Sequence, residues 1–253
     1  IADFAILKKE NFKPIRYLAF PYDDSSVTFF SEATITYKND NILLEKTPFA
    51  PPFVTVLGKY LTPLHLSYKN AIDEINVNFT ATGLNYFFDQ NLGQIGSKPF
   101  QLLNNEIWTN FSKKLYSHKE KERINLLEDF LLSQLKKKDL KIIEQIVKIF
   151  KNDLSVKIKD IAQTMQLSER TINRLFHSYI GCTPTAYKKI LRFRKAVAMK
   201  NKKNSLTEVS LLSEYYDSAH FTHEFQQLTS TNPTSFFNKL TKVNNNEFPF
   251  IFK

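Results

Sequence analysis

The sequence predicts an α+β protein, in which a β-rich N-terminal domain with flanking helices precedes an all-α domain of two helix-turn-helix units joined by a linker helix. Three features predict it. Short β-branched and aromatic runs separated by turn formers fill the first hundred residues, apolar residues recur every three or four positions from Glu106 onward, and the last hundred residues hold an imperfect duplication.

The 253 residues suffice for about one and a half to two domains. With 42% hydrophobic residues, 23 Phe and 11 Tyr, the chain has ample apolar surface to offset its ordering entropy. The lone Cys182 excludes an intramolecular disulfide and any multi-cysteine metal site, which fits a reducing cytoplasm. The charge-free run between Glu74 and Asp89, which no other exceeds, is short and rich in Asn and Thr, so no membrane span is expected. The first residues lack the basic start and apolar centre of a secretory signal, so nothing marks the chain for export.

Strands are expected at Ile15–Phe20, Val27–Tyr37, Phe53–Leu57, Leu64–Tyr68 and Ile75–Phe79, with turns at Asp23-Asp24, Asn39-Asp40-Asn41, Pro51-Pro52 and Lys69-Asn70. Thr82–Asp89 reads as a short helix, and from Glu106 the pattern is helical to the end. Two or three amphipathic helices cover 106–151, with Lys136-Lys137-Lys138-Asp139 as a break. The expected division is a β-rich domain with C-terminal helices over 1–135, a linker helix region over 136–152, a tandem helix-turn-helix domain over 153–243 and a tail over 244–253. Because each half has its own periodicity, a fragment starting near Asp153 is expected to fold alone.

Charge is uneven along the chain. Residues 157–203 hold 12 Lys/Arg against 2 Asp/Glu, an excess of +10 equal to that of the whole molecule, whereas residues 204–253 hold 3 against 5. A polyanionic partner is indicated for the first of these blocks. Within it, Ala162 is the small residue that lets a second helix pack closely, Ser168 is that helix's N-cap, and Ile172, Leu175 and Phe176 form its apolar stripe. Glu169, Arg170, Asn173, Arg174 and His177 lie opposite the stripe. Arg grips guanine and Asn grips adenine bidentately in the major groove, so Arg170, Asn173 and Arg174 are candidate base readers. The second copy places a helix after Asp217, and Pro184 and Pro233 each open a further helix. The helix from Pro184 to about Met199 spans about 24 Å. It can hold two recognition helices apart, and its Lys188, Lys189, Arg192, Arg194 and Lys195 are candidate phosphate contacts.

Residues 154–240 resemble the tandem helix-turn-helix domain of AraC/XylS-type bacterial transcription regulators. The resemblance lies in Ser-x-Arg-x-x-x-Arg-Leu-Phe at 168–176, Gly-x-x-Pro-x-x-Tyr at 181–187, Arg-x-x-x-Ala at 192–196 and Asp-Ser-Ala-His-Phe at 217–221. It implies base contacts from Arg170, Asn173 and Arg174, with Glu169 beside them, and from Ser218, Ala219, His220 and His223 in the second copy. The second copy departs from the family pattern at Ser210, Glu214-Tyr215, His223 and Ser230, so the first unit is expected to dominate readout. The first 135 residues more loosely resemble an N-terminal domain fused to this module in many bacterial regulators, through Val56-Leu57-Gly58, Thr62-Pro63-Leu64, Ile75–Phe79 and Gly83-Leu84. That resemblance implies a sensor or dimerisation role.

Double-stranded DNA is therefore the expected partner, with a small-molecule effector, RNA polymerase and a second copy of the chain as further candidates. Tyr37, His65, Tyr68 and Trp108 are candidates for an effector pocket, although such aromatics more often form core. His220 and His223 have metal-ligand spacing but no third ligand, so no metal or other cofactor is expected. No phosphate loop, Ser–His–Asp signature or close carboxylate pair stands out, which argues against an enzyme. The alternatives are a small-molecule-binding protein or enzyme with an incidental basic domain, and a non-specific DNA-organising protein.

Overall fold

The computed structural model describes residues 3–7, 14–95, 98–200, 204–243 and 248–252. The N-terminal half is a sandwich of two sheets. Its strands are β1 (Asp3–Leu7), β2 (Ile15–Ala19), β3 (Ser25–Ser31), β4 (Ala33–Lys38), β5 (Asn41–Lys46), β6 (Phe53–Leu57), β7 (Leu64–Tyr68), β8 (Asp73–Phe79) and β9 (Phe100–Leu102). One sheet has the order β1-β8-β3-β6-β9 and is antiparallel throughout. The other contains β2, β7, β5 and β4, with a parallel β5–β7 pair.

The run Val27–Tyr37, expected as one strand, is two. Glu32 takes a left-handed φ of 46°, and there the chain leaves the first sheet for the second. Asn39 and Asp40, with φ of 49° and 59°, then form a two-residue hairpin turn suited to right-handed strand twist, and β5 returns from it unforeseen. β3 is buried on both faces. Its Val27 and Phe29 pack beneath the helices that follow, and Phe30 faces the other sheet.

A 3₁₀ turn at Gly83–Phe87 and the short α1 (Leu92–Ile95) lead to α2 (Glu106–Ser117) and α3 (Glu120–Gln134). These two helices cover the first sheet. The Tyr116 hydroxyl donates to the Phe29 carbonyl at 2.9 Å, and Arg123 pairs with Asp73 at 2.7 Å. Trp108 is 1% exposed and stacks against Phe88 and Phe29.

The second half comprises α4 (Lys141–Asn152), α5 (Ile158–Thr164), α6 (Glu169–Tyr179), α7 (Pro184–Met199), α8 (Leu206–Leu212), α9 (Ser218–Thr229) and α10 (Pro233–Lys239). Helix α4, in the region expected as linker, buries Ile143, Ile146, Val147 and Phe150 in one cluster with Ile161, Ala162, Ile172, Phe176 and Tyr187. Ala81 of the N-terminal half joins that cluster. The chain is not helical to its end. β10 (Thr241–Val243) and β11 (Phe248–Phe252) follow α10, and β11 pairs antiparallel with β2, extending the second sheet to the order β10-β11-β2-β7-β5-β4. An unpaired β2 edge and the apolar FPFIF segment explain this, since β2 offers backbone partners that a continued helix could not use. Phe20, Ile251, Phe193 and Phe236 share the core of the second unit.

Charged side chains also cross between the halves. Lys151 of α4 pairs with Asp23 at 2.8 Å, and beside that contact, within the N-terminal half, buried Lys59 donates to the Asp24 carbonyl at 2.7 Å and the Ser25 hydroxyl at 2.8 Å. Burial pushes the Asp24 carboxyl up to about 6, the Asp23 charge adding to it and Lys151 opposing.

Two expectations follow. Without α4 the first helix-turn-helix unit exposes the apolar wall around Phe176, so a fragment from Leu140 to Leu240 should have a higher urea midpoint than one starting at Asp153. Equal midpoints would show that α4 adds nothing. Within the sandwich, burial raises the Glu74 carboxyl from 4.5 to about 7, the Tyr68 hydrogen bond opposing and Asp73 adding. The native state then binds a proton that the unfolded chain releases above its own lower pKa, so this contribution to stability declines as pH rises from about 4.5 to 7. Glu74→Gln should flatten that decline and stabilise the protein at pH 8 by up to about 3 kcal/mol in urea titrations.

Candidate nucleic-acid interface

The first unit is built around the angle between α5 and α6. Gln166 adopts a left-handed φ of 54°, and the Leu167 N–H returns to the Ala162 carbonyl at 2.8 Å, closing the turn. Ala162 is 6% exposed at the contact. The Ser168 hydroxyl then accepts from the Thr171 N–H at 3.0 Å, capping α6 as its sequence position indicates. Gly181, at φ 84°, ends the segment after α6 while its N–H bonds the Phe176 carbonyl at 3.0 Å.

Ile172 and Phe176 are fully buried, and Leu175 is half-buried. This orientation leaves Glu169, Arg170, Arg174 and His177 exposed on the opposite face. Asn173 is half-buried there, and its amide donates to the Glu169 carbonyl at 2.9 Å, leaving its carbonyl oxygen and second proton for other partners. Arg170, Asn173 and Arg174 thus share one face of one helix, a turn apart.

The second unit repeats the geometry. Glu214, with φ of 61°, stands where the first copy has Gln166. A left-handed conformation costs a non-glycine residue about 1 kcal/mol or more. Its carboxylate, however, reaches Lys195 of α7 at 2.5 Å, which accounts for an acid at this turn. The Asp217 carboxylate caps α9 by accepting from the His220 N–H at 2.7 Å. Ser218, Ala219 and His223 are exposed on α9, and the Gln227 amide lies 3.0 Å from the His223 Nε2. His220 is half-buried, its Nε2 3.3 Å from Glu224 Oε1.

Glu224 is the ionic centre of this unit. It is 4% exposed and receives the Arg192 guanidinium in two bonds of 3.0 and 3.2 Å, with Lys189 at 3.7 Å. The five candidate phosphate contacts on α7 accordingly all have protein partners. Lys188 donates to the Val156 carbonyl at 2.6 Å and lies over the Phe150 ring, and desolvation lowers its pKa. Arg194 lies 4.3 Å over the Tyr22 ring and faces the N-terminal half. Lys157 and Lys159, at the start of α5, are exposed. Sequence reasoning passed over these two, although the first helix of such a unit crosses the DNA backbone.

The aromatic candidates do not share a pocket. Trp108 is core on the helix-covered side of the first sheet, whereas Tyr37 and Tyr68 pack on its other side, between the sheets. The Tyr68 hydroxyl donates to Glu74 at 3.1 Å and that of Tyr37 to Asp40 at 3.2 Å. His65 is half-buried on β7. Among the described residues no three His, Cys, Asp or Glu side chains converge as a metal site, and no helix is long and apolar enough to cross a membrane.

Residues 161–239 match the family model of a helix-turn-helix domain. This is an AraC-type tandem helix-turn-helix domain. The sequence has no significant match among curated proteins. Solved structures of ToxT from Vibrio cholerae share the fold over most of the chain. A 1.65 Å structure of ToxT aligns with a TM-score of 0.51 at 12% identity, covering 95% of this chain and 99% of that one. Wild-type ToxT of strain SCE256 with an unsaturated fatty acid bound aligns with a TM-score of 0.50 at 16% identity, covering 96% and 98%. A β-rich N-terminal half followed by a helical C-terminal half is therefore a fold that the chain shares with ToxT.

The buried Glu224 predicts an outcome. Glu224→Ala leaves Arg192 without its bidentate partner, and breaking such a pair costs about 3–5 kcal/mol when it is fully buried. Urea unfolding should show a loss near the lower end of that range. An unchanged midpoint would mean that α9 is held to α7 by its apolar contacts alone.

Proposed function

We propose that the chain is a sequence-specific DNA-binding transcription regulator whose first helix-turn-helix unit dominates base readout and whose N-terminal half senses a small molecule. One observation carries the DNA-reading part. The complete burial of Ile172 and Phe176 turns Arg170 and Arg174 outward on a capped recognition helix. Lys157 and Lys159 supply phosphate contacts beside it, while Lys189, Arg192 and Lys195 of α7 hold the second unit and Lys188 and Arg194 brace the first unit and the sandwich. Ser218, Ala219 and His223 give the second unit short-range contacts with little charge attraction. His220 is drawn toward Glu224 rather than toward bases. The likeness of fold to a ToxT structure with a bound fatty acid supports a sensing role for the sandwich. RNA polymerase and a second copy of the chain complete the partners of this reading, and a chromosomal target would place it in the cytoplasm.

The test starts from a site selected out of random duplexes. Arg174→Ala should cost about 1–3 kcal/mol on that site and far less on random DNA. His223→Ala should cost less than Arg174→Ala at pH 7.5. Equal losses on both duplexes would reduce Arg174 to a phosphate contact, and failure to select any site would overturn sequence-specific readout.

A further inference from the structure

Helix α1 stands between a cleft and the end of the first recognition helix. The cleft, about 570 Å³ in volume, has Ile35 and Tyr37 of β4, Phe100–Leu102 of β9 and Gln94 and Ile95 of α1 in its walls. Its volume lies within the range of small-molecule sites. β4 and β9 are each the last strand of their sheet, so the cleft is the open margin of the sandwich.

On the opposite side, Gly93 of α1 meets α6 backbone to backbone. A Cβ on Gly93 would lie 2.1 Å from the His177 carbonyl oxygen and 3.3 Å from the Ser178 Cα, so no larger residue fits without moving one helix. Asn85, fully buried, fastens the same junction. Its amide donates to the Tyr179 carbonyl at 2.8 Å, and its carbonyl accepts the Leu92 N–H at 2.9 Å. Gln94 and Ile95, which touch the cleft, directly follow the glycine that touches α6.

The lining defines the ligand. Carboxamides, Gln94, Gln101 and Asn104 among them, each donate and accept hydrogen bonds as hydroxyl groups do. The rings of Tyr37 and Phe100, 5.9 Å apart, offer an apolar wall, and Lys98 is the one charged residue among the described residues of the lining. An aliphatic chain here would cover the Gln101 and Asn104 carboxamides without offering them a partner. We propose that this cleft binds a small polyhydroxylated carboxylate, and that α1 passes its occupancy to α6 through the Gly93 contact. The coupling rests on the DNA reading proposed above, whereas ligand binding does not.

The experiment uses the full chain, calorimetry and the selected duplex. D-Glucuronate and D-gluconate are the probes, with D-glucose lacking the carboxylate and oleate lacking the hydroxyls. At least one probe should bind more tightly than both controls, and Gln101→Ala should weaken it about tenfold through lost hydrogen bonding. The bound probe should change duplex affinity about fivefold or more, and DNA should change probe affinity by the same factor. Gly93→Ala should keep probe binding but lose the coupling. Asn85→Ser tests the same junction should Gly93→Ala not fold. Absence of binding by both probes, tighter binding of oleate, or coupling unchanged in the folded variant would overturn the inference. Failure of the unliganded wild-type chain to bind the duplex would instead overturn the DNA reading, leaving calorimetry to judge the cleft.

Discussion

Phe176 sits in full burial between the rings of Phe150 and Tyr187, at centroid distances of 5.6 and 5.8 Å, and this packing orders the first DNA-reading unit. It joins one residue each from α4, α6 and α7. Burying a Phe side chain contributes about 1.5–3 kcal/mol, but its directional effect matters as much here. With Phe176 and Ile172 turned inward, helical periodicity leaves Arg170 and Arg174 only the outer face. The outward charge of α6 is thus placed by the apolar residues on its inner face.

The second unit is fixed by different means. Its aromatic core of Phe193, Phe221, Phe225 and Phe236 is as well buried as that of the first. It adds the carboxylates Glu224 and Glu214, which draw Arg192, Lys189 and Lys195 of α7 inward. Arg192 in particular cannot move to a phosphate without taking the bidentate partner from nearly buried Glu224. Two units with the same topology therefore present different surfaces, one with outward arginines and the other with short polar side chains beside an internal ion cluster.

The two halves are in close contact, through helices of the first unit and through the C-terminal strand. Gly93 abuts the end of α6, Arg194 of α7 covers Tyr22, Lys151 of α4 pairs with Asp23, and β11 joins β2. The sandwich thus touches α4, α6 and α7, the three helices whose rings meet at Phe176.

The sequence by itself determined four helix starts of the second half, those of α6, α7, α9 and α10, because capping is local: Ser168, Thr183, Asp217 and Asn232 each accept a bond from the N–H three residues on. It also determined the recognition helix, since stripe and polar face follow from a period of about 3.6 residues. Most strands of the sandwich were legible for the same reason, their β-branched and aromatic runs being bounded by turn formers. Only the tertiary structure decided where β3 ends and β4 begins, because the change of sheet at Glu32 has no local signal in a continuous β-rich run. It alone placed α4 in the core of the first unit and β11 on β2, since an apolar face or a short apolar tail does not name its partner. It alone committed the α7 cations to Glu224, Glu214, Val156 and Tyr22, because a run of positive charge in sequence looks the same whether its partners lie in the protein or outside it.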